Sequence, residues 1–281
     1  MAGVLVFPSY VIAGHSLESR VIESRVMNAP YQPSASLSAK ISRKLLPMRA
    51  RRDIRVSLKR PIVSFTFDDF PRSALYEGAD MLAKHNWLAT FYVAAGLAGV
   101  HNHHGHSFTD ADLLYLQTKG HEIAGHTYSH LDCGQGGEHQ VLAEIEQNKS
   151  ALREMGVKKP IEHFAWPYGT TNIANKTALQ SHFKTMRGVT PGVNRGRTDL
   201  NCLKSTPLYS GAKLSRATDL IEGLEKRPGW LILFTHDVRG NPSEWGVTTL
   251  EFLTIIDAVK TSGATVLPVG EALEMVEKQN G

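Results

Sequence analysis

The 281-residue chain predicts a distorted (β/α) barrel of seven or eight parallel strands, and three observations carry that prediction. From Pro61 onward, short apolar runs alternate with amphipathic stretches of helix length, the cadence of a mostly parallel sheet. Seven or eight such units over about 220 residues suit a single barrel. The residues able to do chemistry (Asp68 and Asp69, His126, Trp166 to Tyr168, Arg187, His236) each fall at the carboxyl end of a different expected strand. Barrels build their sites at that face. A doubly wound open sheet shares the alternation, and only the third observation favours the barrel over it.

In chain order, the first strand is the apolar run Ile62-Val63-Ser64-Phe65-Thr66-Phe67 at 62–67, followed by a helix at 73–85 and a strand at 89–94. Thr109-Asp110 opens a helix at 109–119, which Gly120 stops before a strand at 122–125. A helix at 138–155 runs to Gly156, and a strand at 162–166, a helix at 172–181 and strands at 184–189 and 202–206 follow. Ser215 opens a helix at 215–226, and the strongest strand is Trp230-Leu231-Ile232-Leu233-Phe234-Thr235. Thr248-Thr249 with Glu251 starts a helix at 248–262, ended by Gly263, before a last strand at 264–268 and a helix at 270–278.

Residues 1–60 differ and read as an N-terminal extension, partly irregular and basic, ahead of one domain over 61–281. An Ala/Ser/Pro-rich stretch near Pro30–Ser36 shows no sustained periodicity. Arg43, Lys44, Arg49, Arg51, Arg52, Arg55, Lys59 and Arg60, opposed only by Asp53, account for the local basic excess in a chain of net charge +4. Such a run reads as a solvated segment, and since no recognition motif accompanies it, no nucleic-acid partner is expected. Two cysteines, Cys133 and Cys202, do not make a disulfide framework. No stretch approaches the roughly 18 apolar residues of a transmembrane span. The run from Val4 to Ala13 lacks a preceding Lys or Arg and is interrupted by Pro8 and Ser9, so cytoplasmic residence is the expectation.

Asp68 and Asp69 stand where the chain leaves the first strand for Phe70-Pro71. Neighbours on a strand point oppositely, but at a strand end both carboxylates can face one cavity, one binding a metal and the other free to take a proton. Aspartates also cap turns. His126 and His130, an i, i+4 pair, lie on one face of a helical turn and can reach a single metal. Two imidazoles and one carboxylate leave room for water, which suits Zn²⁺ in an open-coordinate state, with Co²⁺, Ni²⁺ or Mn²⁺ also fitting. His236, at the end of the strongest strand, is a candidate general acid or else a core histidine. His101, His103, His104 and His106 share one loop without a carboxylate or cysteine at ligand spacing and read as a polar loop near the cavity mouth.

Thr66-Phe67-Asp68-Asp69, His126-Thr127-Tyr128-Ser129-His130, Trp166-Pro167-Tyr168-Gly169 and Leu231 to His236 occur in that order. In this the chain, over roughly residues 61–270, resembles the NodB-homology polysaccharide deacetylases of carbohydrate esterase family four. The resemblance implies a metal-dependent catalytic domain that removes N-acetyl groups from amino-sugars in a glycan or oligosaccharide, with metal-bound water as nucleophile. It implies Asp69, His126 and His130 as metal ligands, Asp68 as base, the backbone N–H of Tyr168 as an oxyanion donor and His236 as acid. Trp166, Pro167, Tyr168 and Trp245 are the candidate substrate contacts.

Two departures qualify the resemblance. The family's third motif begins with an Arg that pairs with the base, and the matching position here is Ala165. Arg187, at the next strand end, is the expected substitute. The family's Asp-Trp fourth motif has no counterpart, and Asp199 and Asp237 are the candidates to tune the acid histidine. An amidohydrolase of the same fold acting on a small cyclic amide, and a non-catalytic glycan-binding barrel, are the competing readings.

Overall fold

The computed structural model describes residues 49–279; the Val4–Ala13 run, the Ala/Ser/Pro-rich stretch, Arg43 and Lys44 lie outside the described residues. The strands are β1 (Asp53–Val56), β2 (Ile62–Asp68), β3 (Thr90–Val93), β4 (His101–Asn102), β5 (Gly105–His106), β6 (Glu122–Gly125), β7 (His163–Ala165), β8 (Thr185–Arg187), β9 (Gly196–Asp199), β10 (Thr206–Pro207), β11 (Trp230–Thr235) and β12 (Thr265–Val266). The helices are α1 (Asp80–Ala83), α2 (Asp110–Thr118), α3 (Glu138–Glu154), α4 (Ile173–Ala178), α5 (Ser215–Glu222), α6 (Thr249–Thr261) and α7 (Val269–Lys278).

The main sheet is parallel, in the order β10-β11-β2-β3-β6-β7-β8, with β12 also on β2. At its centre β2 is buried at every position, because a parallel strand is covered on both faces and must be apolar throughout. One edge of β2 pairs with β11 from Ile62 to Phe67. The other is divided between β12, at Ile62 and Val63, and β3, at Thr66 to Asp68. The sheet curls until the segment after β9 touches both of its ends: Leu203 bridges Arg187 of β8, and three residues later β10 pairs with β11. This is the distorted parallel barrel that the alternation predicts.

Strand parity divides the barrel into two compartments. Val63, Phe65, Phe67, Leu231 and Leu233 point outward into the core beneath the helices, where Phe65 and Phe67 meet Phe252 of α6. The alternate residues face inward, where the Trp230 indole donates to Ser64 Oγ (2.9 Å) and Tyr92 clusters with Ala124 and Ala165.

Capping follows the sequence closely. Thr109 with Asp112 and Thr248 with Glu251 form capping boxes, and Gly120, Gly156 and Gly263 take positive φ just beyond their helices. Three helices differ from expectation. The stretch 73–85 is a π turn (Ala74–Ala79) running into α1, and 172–181 is α4 followed by a 3₁₀ turn (Leu179–Ser181). Ser215 does not cap α5, because a 3₁₀ turn (Gly211–Leu214) precedes it and Leu214 takes the cap position.

The boundary expected at residue 60 cuts through the packed unit. Strand β1 pairs antiparallel with β9, and Val56 is buried in a core cluster with Trp230 and Leu273. The basic residues read as solvated are partly anchored. The Arg52 guanidinium donates to the carbonyls of Gln180 (2.7 Å), Phe183 (2.8 Å) and Lys184 (2.5 Å). Lys176, fully buried, donates to the Arg49 carbonyl (2.8 Å) and to Asp199 Oδ2 (2.6 Å). Charged residues in β1 hid the strand from a hydrophobic pattern.

Removing one partner of a buried pair leaves an uncompensated charge. Lys176→Met therefore lowers unfolding stability by roughly 3–5 kcal/mol, measured by denaturant titration. A loss below about 1 kcal/mol, the ordinary value of an exposed pair, would show that Asp199 is not held by this contact.

Candidate active site

Five strand ends build the site. Asp68 is the last residue of β2, His126 follows β6, Trp166 follows β7, Arg187 ends β8 and His236 follows β11. Asp68 obeys the pleat and points into the barrel. Asp69 would point away, but its φ of +62°, followed by +52° at Phe70, turns it to the same cavity. Among the described residues seven non-glycine residues have positive φ, and five of them, Asp69, Phe70, Thr127, His130 and Tyr168, are in or beside this rim. Each costs about 1–3 kcal/mol and persists only where surrounding structure holds it.

The segment from His126 to His130 is not the helical turn that the i, i+4 spacing suggests. It is an irregular loop with positive φ at Thr127 and His130. Glu144 of α3 folds it by accepting from Tyr128 N (2.9 Å), Ser129 N (2.7 Å) and Ser129 Oγ (2.8 Å). The two imidazoles still converge: Nε2 of His126 lies 3.5 Å, and Nε2 of His130 3.3 Å, from Asp69 Oδ1.

Two ligand atoms each about 2.05 Å from a tetrahedral Zn²⁺ lie roughly 3.3 Å apart, which those separations match. Asp69 Oδ1 is buried and has no hydrogen-bond partner among the described residues. His126 Nδ1 is 2.7 Å from the Ala165 carbonyl, so Nδ1 carries the proton and Nε2 presents its lone pair. Burial, followed by the charge of His130, pushes His126 down to about 4 and keeps it neutral. Burial raises the Asp69 carboxyl, but electrostatic interaction with the surrounding imidazoles, His130 foremost, outweighs it and holds it below the usual carboxylate range. An ionised carboxylate and a neutral imidazole are the states a divalent cation needs. The residues present fit such an ion.

Arg187 takes the place of the arginine absent at Ala165. Its Nη2 donates to both oxygens of Asp68, at 2.6 and 2.5 Å. Nη1 donates to the Gly188 carbonyl (3.1 Å) and Ser205 Oγ (3.1 Å). The guanidinium is fully buried between the rings of Tyr92 (4.9 Å) and Phe234 (4.7 Å).

His236 Nδ1 lies 3.1 Å from the Trp245 carbonyl, which leaves Nε2 clear of that contact. Neither aspartate expected to tune this histidine is bonded to it. Asp199 is paired with Lys176. Asp237, fully buried, bonds to His104 Nδ1 (3.2 Å), Ser243 and Arg239. His104 itself is brought to the site rather than left at a polar mouth. Its ring stacks on His236 (centroids 4.5 Å apart, 3° between planes), and its Nε2 is 3.8 Å from Asp69 Oδ2. The four closely spaced histidines were the only sequence signal for it, since Asp237 is 133 residues away.

The aromatic expectations divide. Trp166 is buried, donates to the Asn201 carbonyl (3.1 Å) and stacks edge-on to Phe164, so it is core and not a substrate face. Pro167 is buried as well. Tyr168 is half-buried, with its ring against His130 (4.4 Å). Trp245 is half-buried and packs against His103 and His104. A groove of about 680 Å³ is lined by Arg72, Tyr76, His101, Arg239 and His104 among others, and shares only His104 with the residues around Asp69.

Fold and site together define a parallel-strand barrel with an Asp/His candidate metal centre at the carboxyl ends of its strands. Residues 55–185 match the polysaccharide deacetylase family model. The chain is 28% identical over 216 residues to a bifunctional xylanase/deacetylase of Pseudobutyrivibrio xylanivorans, covering 76% of this chain and 31% of that protein. It is 31% identical over 112 residues to a chitooligosaccharide deacetylase of Sinorhizobium fredii, covering 39% of this chain and 47% of that protein. The matches thus span less than half the length of these relatives.

In structure it is similar to the Xyl-CE4 domain of a multidomain xylanase from the hindgut metagenome of Trinervitermes trinervoides (TM-score 0.54, 20% identity, 77% of this chain and 91% of that one). It is also similar to a family 4 acetyl xylan esterase from Clostridium thermocellum, solved with a cobalt ion (TM-score 0.54, 23% identity, 76% and 91%). The family-model match, the curated relatives and the structural neighbours together support a NodB-homology protein of carbohydrate esterase family four.

The geometry makes a direct prediction. Stripped of metal and titrated with Zn²⁺ in equilibrium dialysis, the protein takes up a tight equivalent that His126→Gln weakens by more than roughly 100-fold, with the circular dichroism spectrum unchanged. Equal affinity in the two proteins would remove His126 from the metal site.

Proposed function

We propose that this chain is a metal-dependent hydrolase removing N-acetyl groups from amino-sugars in a glycan or oligosaccharide. The observation that carries the reading is the Asp68 carboxylate clamped by Arg187 beside the Asp69–His126–His130 cluster. A binding module gains nothing from a buried ion pair aimed at a metal site.

Asp69, His126 and His130 would hold the cation, with Zn²⁺ the best match to two imidazoles and one carboxylate. Bound there, it supplies Lewis acidity, activating water and polarising the acetyl carbonyl. Asp68 takes a proton from the attacking water, and Arg187 holds the carboxylate in position. As oxygen adds to the acetyl carbon, the Tyr168 backbone N–H donates to the developing oxyanion, an interaction worth roughly 2.7–4 kcal/mol in comparable sites. The carbon–nitrogen bond then breaks, His236 delivers a proton from Nε2 to the departing nitrogen, and acetate and a free amino-sugar leave. The Trp245 carbonyl fixes the orientation of His236 through Nδ1, where the family motif has a carboxylate.

Acetate release from acetylated glycan oligomers tests this. Asp68→Asn lowers kcat by roughly 10²–10⁴-fold, the usual scale of general base catalysis. Turnover of small cyclic amides alone, or full activity in Asp68→Asn, would overturn the assignment. Arg187→Ala is expected to lose most of kcat with little change in KM and to regain part of it with guanidinium added in solution. A purely structural arginine would show no such rescue.

A further inference from the structure

Asp69 has imidazoles on both sides. One ligand atom each from Asp69, His126 and His130 lie within 4.8 Å of one another, and so do one each from Asp69, His104 and His236. The two sets use different oxygens. His126 and His130 approach Oδ1, at 3.5 and 3.3 Å, whereas His104 Nε2 approaches Oδ2, at 3.8 Å.

We propose that Asp69 Oδ2, His104 Nε2 and His236 Nε2 form a second divalent-cation position, joined to the first through the shared Asp69 carboxylate. This rests on the deacetylase reading only for its consequence to turnover.

The second set is built in the manner of the first. At the first, the Ala165 carbonyl fixes Nδ1 of His126 and frees Nε2. At the second, His104 Nδ1 is held by Asp237 Oδ1 (3.2 Å) and Ser243 Oγ (3.0 Å), and His236 Nδ1 by the Trp245 carbonyl (3.1 Å). Both Nδ1 atoms are thus bound to the 237–245 loop. With both Nδ1 atoms so held, the opposite edge of each stacked ring carries Nε2, and that of His104 lies 3.8 Å from Asp69 Oδ2. A carboxylate behind a ligating histidine is a recurring arrangement at metal centres.

Asp237 is itself fixed by Ser243 N (2.7 Å), Ser243 Oγ (2.5 Å) and Arg239 Nε (2.8 Å). The hairpin of β4 and β5 is tied to the same group, since Arg239 Nη2 donates to the His103 carbonyl (2.9 Å) and Asn102 Oδ1 accepts from His104 N (2.8 Å). Ligand atoms at about 2.1 Å from a tetrahedral cation are roughly 3.4 Å apart, and His104 Nε2 and Asp69 Oδ2, at 3.8 Å, are within a few tenths of an ångström of that spacing.

Filling this position has a consequence. A histidine whose Nε2 binds a cation cannot deliver a proton from that atom, so the second ion takes His236 out of the reaction. Turnover then rises with the first equivalent of metal and falls with the second.

The test is a Co²⁺ titration of the metal-stripped full chain, read by visible absorption and bound-metal analysis, with acetate release measured alongside. Two equivalents are expected, the second entering as acetate release declines. His104→Gln is expected to bind one, with the spectrum of the first retained. Asp237→Asn, which keeps all three ligands, should weaken the second equivalent by roughly 10–100-fold. One equivalent in the unaltered chain, or two undiminished in both variants, overturns the second position. One equivalent with normal acetate release leaves the deacetylase reading standing, whereas two equivalents without acetate release upholds the second position and removes that reading.

Discussion

Two adjacent carboxylates must serve one cavity from the end of a single strand, and the rest of the site is arranged around that constraint. The pleat sends neighbouring residues to opposite faces, so Asp68 enters the barrel with Ser64 and Thr66 while Asp69 would enter the layer beneath the helices. The left-handed conformation at Asp69 and Phe70 overrides the pleat. Its cost is sustained by the burial of Phe70, whose ring stacks on Phe108 (5.1 Å) and meets Phe91 edge-on (4.8 Å). The aromatic cluster outside the barrel therefore positions the carboxylate inside it.

Burying these acids requires a compensating group for each. Asp68 has Arg187, itself supplied with hydrogen bonds by Gly188 and Ser205 and flanked by two rings. Asp237 has His104, Ser243 and Arg239. Asp69 has imidazoles close to both oxygens, and among the described residues its Oδ1 has no hydrogen bond. A carboxylate taken out of water without such bonds is costly, and a cation between it and the neutral nitrogens removes that cost. Asp69 is thus the group that makes the site a candidate metal centre, more than the histidines taken alone.

Much of this was legible in the sequence because the barrel puts function at strand ends. Asp68, Asp69, His126, Arg187 and His236 each end or follow an apolar run, and the fold converts that position along the chain into a common cavity. Parity explains the failure at Trp166. It lies one residue beyond Ala165, which faces inward, and therefore joins Phe164 and Met186 in the outer core. His104 and Asp237 were not legible as a pair, because their contact depends on how a short hairpin folds across the rim. The ribbon of β1 and β9 escaped for a different reason: its edges are charged, and a hydrophobic pattern cannot report a strand held by arginine–carbonyl and lysine–aspartate contacts.

The alanine at 165 reads differently once the register is known. Ala165 pairs with Arg187 directly across β7 and β8, so the guanidinium starts one strand over at the same height in the barrel. The small side chains at 124 and 165 share the interior layer with Tyr92, one of the two rings that hold the guanidinium. A larger residue at 165 would compete with Tyr92 for that layer, and the aromatic clamp on Arg187 would loosen. The physical requirement is a cation against Asp68 at the barrel axis, and a long side chain can meet it from either of two neighbouring strands. The strand that carries the arginine is therefore a packing choice, fixed here by which position is small and which is flanked by rings.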